Sequence, residues 1–170
     1  MLASILPMLI ATTVASATPV ATPPGAGELA PLAWFAGNWQ CAGHFADGRA
    51  IRSRESFDWA LDGRWLRMRH DDEVPGRYHA VEWWGRDPNA QEYTVTVFDN
   101  SGGLRHYAST GWNADVLILE NTASAGYVDR FAFRRFDAAT YQVDYSHRDH
   151  GGVWRPGDTL RCTKLAAPRH

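Results

Sequence analysis

Leu32-Ala33-Trp34-Phe35-Ala36-Gly37-Asn38-Trp39-Gln40-Cys41-Ala42-Gly43-His44-Phe45 is the stretch around which the chain is organised. Leu32 to Ala36 reads as a short apolar turn of helix. Gly37 follows it as a residue free to adopt the left-handed conformation that commonly ends a helix. A strand then starts at Asn38, and Trp39 is its first large inward side chain, placed to plug one end of a cavity. Gly37 and Trp39 are therefore structural candidates.

Upstream, Met1 to Ala17 is apolar and small and ends in Ala15-Ser16-Ala17, a signal-peptidase-like site, although no Lys or Arg precedes the apolar run. We read residues 1–17 as a secretory signal peptide. Residues 18–30, rich in Pro and Ala, read as a disordered spacer, and residues 31–166 as one domain. Export implies a periplasmic or secreted protein with no membrane span once the signal is removed. A net charge of -2 supplies no basic field for nucleic acid.

Downstream, turn chemistry alternates with short strands. Asp47-Gly48, Asp62-Gly63 and Pro75-Gly76 mark turns. Between the first two, Ile51, Ser53, Glu55, Phe57, Trp59 and Leu61 share one side of a strand, and Arg52, Arg54, Ser56 and Asp58 the other. Similar strands run from Arg64 to His70, Tyr78 to Gly85, Glu92 to Phe98 and Leu104 to Trp112. Four more follow before Leu165. About ten strands joined by short links describe an all-β, closed, antiparallel up-and-down barrel with a short N-terminal helix; a sandwich needs longer crossings.

The interior of such a barrel is the place to seek function. Trp39, Glu55, Phe57, Trp59, Tyr78 and Trp84 fall on inward positions and are the candidate ligand-cavity residues; Glu82 alternates with them. A carboxylate at Glu55 must be paired, protonated, or turned to water or ligand. Arg67 and Arg69 on the next strand are its candidate partners. Cys41 and Cys162 lie on the first and last strands, which barrel closure makes neighbours. They form either a disulfide, favoured by export, or two buried thiols. The seven histidines form no ligand motif; His147 and His150 are the only close pair. No nucleophile elbow, phosphate loop or dinucleotide fingerprint occurs, so no catalytic residue and no metal site is assigned.

Gly37-x-Trp39 after a short helix resembles the opening of lipocalin-like (calycin) barrels. Glu55-Ser56-Phe57, Leu61-Asp62-Gly63-Arg64-Trp65-Leu66 and Phe98-Asp99-Asn100-Ser101-Gly102 further resemble a bacterial lipocalin-like family known chiefly as a domain of unknown function. The chain departs from that family at Trp84-Gly85-Arg86-Asp87, where the family has Gly-Tyr-Asp. The resemblance implies a closed barrel with an internal cavity. It also implies a structural role for Arg161, packed across Trp39 as in lipocalins. Strand parity sets that contact against the disulfide unless a bulge intervenes, because Arg161 and Cys162 point to opposite faces. Nitrobindin-type barrels, to which the opening is also similar, hold haem through one late histidine; His147 and His150 are the haem candidates this resemblance implies, and no other cofactor is implied.

The expectation is an exported barrel that binds a small hydrophobic or amphipathic ligand, a binding protein rather than an enzyme. The alternatives are a haem-binding barrel and an enzyme using interior carboxylates.

Overall fold

The computed structural model describes residues 21–122 and 127–166; the signal peptide read at 1–17 lies outside them. A 3-10 helix, Pro24–Phe35, precedes the strands β1 (Gly37–Phe45), β2 (Ala50–Ala60), β3 (Trp65–Val74), β4 (His79–Asp87), β5 (Glu92–Asp99) and β6 (Leu104–Ser109). The chain continues with β7 (Trp112–Asn113), β8 (Val116–Asn121), β9 (Asp129–Asp137), β10 (Thr140–Arg148) and β11 (Trp154–Lys164). Consecutive strands pair antiparallel except at β6, which bypasses β7 and meets β8 through Tyr107–Asn121 and Ala108–Glu120; β1 pairs with β11. The result is a closed ten-stranded barrel, with the two-residue β7 hairpinned onto β8 outside the ring. The single strand expected from Leu104 to Trp112 breaks at Ser109, and Gly111 turns the chain at φ 106°.

The helix starts earlier than the composition of its lead suggests. Residues 24–30, read as disordered spacer, form its first turns, and Ala26, Leu29, Leu32 and Phe35 are buried. Those four stand three residues apart. The segment kinks at Gly27 (φ 49°), and beyond the kink Leu29, Leu32 and Phe35 keep the three-residue spacing that stacks side chains in one stripe of a 3-10 helix. A search for the 3.6-residue period of an α-helix passes over it. The helix is pinned to the barrel by Tyr93, which donates to the Glu28 carbonyl at 3.3 Å, and by an Arg86–Glu28 ion pair at 3.0 Å.

Phe35 delivers the helix into the barrel end. Its ring lies 5.1 Å from Phe57, 5.4 Å from Trp84, 5.5 Å from Phe133 and 5.7 Å from Tyr141, centroid to centroid. The Trp39 indole N–H donates to the Phe35 carbonyl at 2.7 Å, so the Gly37-x-Trp39 strand start and the helix end lock together. Gly37, at φ 121°, occupies backbone space closed to most other residues. This half of the barrel is solid.

Closure is covalent as well. Cys41 and Cys162 lie directly opposite on β1 and β11, with Cα atoms 4.0 Å apart, and are joined as a disulfide. The β1–β11 register runs without a bulge, so parity decides the position of Arg161. It is exposed, with its guanidinium 4.3 Å from the Phe136 ring centroid. The expected Arg161–Trp39 contact is not made. Lys164 faces Trp39 instead: it is its register partner, its Nζ lies 4.9 Å from the indole centroid, and it donates to the Trp34 carbonyl at 3.0 Å.

Candidate functional site: the open half of the barrel

Because the strands run up and down, each contributes one end to the aromatic plug and the other to the opposite half. That half holds a cavity of about 290 Å³. Ile51, Met68, Phe131, Val143 and Leu160 give it apolar walls, and Phe133 separates it from the plug. The carboxyl-bearing residues Glu55, Asp72, Glu82 and Asp158 line it, together with His70, Arg105 and Tyr78.

The polar groups are ordered from Glu55 outward. Buried Glu55 on β2 accepts a hydrogen bond from the Tyr141 hydroxyl at the edge of the plug. Its register partner on β3 is His70, whose Nδ1 lies 3.4 Å from Glu55 Oε1. His70 Nε2 lies 2.9 Å from Asp72 Oδ1, so one imidazole bridges two carboxylates. Burial alone would push the His70 pKa down; the hydrogen bonds and charges of Asp72 and Glu55 outweigh it and hold the pKa at about 10. His70 is therefore an imidazolium at neutral pH, and Tyr141–Glu55–His70–Asp72 is a continuous chain of hydrogen bonds and charges down the cavity wall.

The partners expected for Glu55 were Arg67 and Arg69. Both are exposed on the outer face of β3, where they pair with Asp58 and Asp71. The correct partner was within reach of the sequence. A four-residue turn at 61–64 sets Ala60 opposite Trp65, and counting back along both strands sets Glu55 opposite His70.

On the other walls, Arg105 donates to the Tyr78 hydroxyl at 2.6 Å and to Asp99 at 3.1 Å. Burial raises the Tyr78 hydroxyl to about 12, so it stays a neutral phenol. Glu82 accepts a bond from the Trp84 indole N–H at 2.8 Å. Burial raises its pKa to about 7, with a contribution from the Glu55 charge. Asp158 is raised to about 6, again chiefly by burial. At neutral pH Glu82 stands near the midpoint of its titration, and Asp158 about one pH unit above its own.

Of the six residues read as cavity lining, the structure places Glu55 and Tyr78 on the cavity wall. Trp39, Phe57 and Trp84 are buried in the plug, and Trp59 packs half-buried against the core. Alternation identified the inward face but not the depth along the barrel axis. His147 and His150 do not line the cavity. His150 is exposed in the β10–β11 turn, and the His147 ring packs 6.3 Å from Tyr145, so neither histidine is placed to ligate a haem held there. Cys41, Glu55 and Cys162 lie within metal-ligand distance of one another, but both sulfurs are consumed in the bridge and offer no thiolate.

A β-bulge shapes the mouth. Between Tyr145 and Ser146 the β10–β11 register slips past Gly157. A Cβ at Gly157 would fall 2.3 Å from the Tyr145 ring, so only glycine lets that ring lie over the bulge. Tyr145 and Asp158 thus form the partition between the cavity and a shallower recess of about 230 Å³ beside Arg130 and Trp154.

No family model matches the chain, and no curated protein matches it. Among solved structures it is similar to Rv2717c from M. tuberculosis, at 15% identity and a TM-score of 0.55, over 84% of this chain and 98% of that one. It is also similar to a de novo designed fluorescence-activating β-barrel, at 12% identity and a TM-score of 0.44, over 78% of this chain and 94% of that one. The likeness to Rv2717c is one of fold alone. The resemblance to lipocalin-like proteins stands at the level of a closed β-barrel, with no family match beneath it.

Proposed function

We propose that this protein is an exported barrel that holds a small, partly apolar molecule in the open half of its interior. The observation that carries the reading is the division of the barrel: one half is packed solid around Phe35, and the other keeps about 290 Å³ among apolar walls with a few convergent polar groups. Concave, mostly apolar sites with a small number of placed polar groups are what small-molecule binding requires. The disulfide supports residence in an oxidising compartment, where such bonds persist.

The test uses N-phenyl-1-naphthylamine, a neutral apolar dye whose emission rises out of water. We expect saturable enhancement with the wild-type protein. Val143→Trp, which fills the cavity from β10, should weaken it by about tenfold or more, while circular dichroism reports the barrel intact. Enhancement unchanged by Val143→Trp would place the dye on the outer surface and defeat the reading.

Acid–base catalysis is the second reading, and one observation favours it: Glu82 lines the cavity beside other titratable groups with its pKa raised to about 7. Recovering bound molecules chemically unchanged supports binding. Conversion that Glu82→Gln abolishes supports catalysis.

A further inference from the structure

The polar groups of the cavity do not balance. Four carboxyls line it, from Glu55, Asp72, Glu82 and Asp158, against two cations, His70 and Arg105. His70 is engaged by Glu55 and Asp72 together. Arg105 is turned to Asp99 and Tyr78. Among the described residues, neither Glu82 nor Asp158 makes an ion pair, although the charge of His70 is felt by both and that of Arg105 by Glu82. Glu82 has one oxygen bonded by the Trp84 indole, and the Asp158 carboxylate accepts no hydrogen bond from the described residues.

The two carboxyls occupy different walls. Glu82 is on β4 and Asp158 on β11, with β3, β2 and β1 between them around the ring, close to opposite sides of ten strands. The Glu55–His70–Asp72 chain lies between them, and Phe131, Phe133 and Val143 face it from β9 and β10. A neutral apolar guest would remove water from both carboxyls and force them either to stay charged without a partner or to take up protons, and either outcome opposes its entry at neutral pH. An anionic guest would add to the imbalance. A guest with one positive charge supplies what the walls lack.

We propose that the cavity selects small amphipathic cations: a primary or secondary ammonium drawn in by the excess negative charge of its walls and hydrogen-bonded at one of the two unpaired carboxyls, Glu82 or Asp158, with an aromatic or aliphatic body against Phe131, Phe133 and Val143. This rests on the reading of the cavity as a ligand site and adds the chemical class. The bonds expected are charge-assisted N–H···O contacts, stronger than those a neutral donor would make in the same place. Binding favours the ionised carboxyls, so protons held by Glu82 and Asp158 leave as the ammonium enters.

Three probes of one shape and different charge test the proposal: 1-naphthylmethylamine, 1-naphthylmethanol and 1-naphthoate, titrated calorimetrically at about pH 7. The ammonium should bind about tenfold or more tightly than the alcohol, and the carboxylate most weakly of the three. At about pH 6.5, the heat of amine binding should vary with buffer ionisation enthalpy in the direction of proton release. Glu82→Gln combined with Asp158→Asn should remove most of the amine's advantage, and each single substitution a part of it. Alcohol affinity should stay within about threefold, showing that the cavity is still formed. Equal binding of amine and alcohol, or an amine preference that survives both substitutions, would overturn the charge selection while leaving the ligand site standing. Failure of all three probes to bind would remove the ligand site, and the selection with it.

Discussion

Glu82 is the residue whose environment and chemistry are most at odds. Its pKa is about 7 in the folded chain against an ordinary 4.5, because burial disfavours its charge more than the Trp84 hydrogen bond favours it. The sign of the consequence follows from linkage. Below the ordinary value the carboxyl is protonated in both states and costs nothing; between about 4.5 and 7 a destabilisation grows; above 7 it is constant. Glu82→Gln keeps an acceptor for the Trp84 N–H and removes the titration. The substitution should therefore stabilise the protein at about pH 8, by up to about 3 kcal/mol, and leave it near wild type at about pH 4.5. Thermal melts of both proteins at the two pH values measure this; a gain of equal size at both would mean that charge burial is not its cause. Residues of this kind were only partly legible in the sequence. Glu55 and Glu82 showed themselves as carboxyls on apolar faces, and hairpin counting reaches His70 from Glu55. Tyr141 and Asp158 could not be found that way. Tyr141 is 86 residues from the Glu55 carboxylate it bonds, and Asp158 takes its place only after the bulge at Gly157 shifts the register.

At the scale of elements, the barrel is closed by three devices that meet near the helix. Phe35 stacks into the plug, Lys164 lies over Trp39, and Cys41–Cys162 bridges β1 to β11. The strand pattern was readable because turns at Asp-Gly pairs separate runs of strict alternation. The end of the helix at residues 32–35 was readable as well, but its first part at 24–30 was not, since it lies in a Pro-rich lead that looks like linker. Nor was depth: Phe57 and Glu55 share a face of β2, yet one ends in the plug and the other in the cavity. The bridge spans 121 residues of sequence. In the chain-entropy model a loop of this size stabilises the fold by about 4–5 kcal/mol. Exported protein should show an intact mass two hydrogens below the reduced chain. Cys41→Ala with Cys162→Ala should lower the denaturation midpoint accordingly. A full-mass reduced protein with wild-type stability would contradict the pairing.

Taken whole, the molecule is a barrel with one sealed end and one hollow one, and the proposal that it binds a small molecule stands or falls on what enters the hollow. No helix among the described residues is long and apolar enough to cross a membrane. Large apolar side chains are exposed at the rims and on the outer face, including Phe98, Leu104 and Phe136, so an apolar probe has somewhere else to go. The direct measurement is therefore one of position: methyl-labelled protein saturated with 1-naphthylmethylamine, read for contacts between ring protons and side-chain methyls. Binding in the hollow predicts contacts to Ile51, Met68, Val143 and Leu160, which line the cavity, and none to Leu66 or Leu117, which are buried in the core away from it. Contacts confined to exposed methyls such as those of Leu104 and Ile118, with the four cavity residues silent, would contradict it.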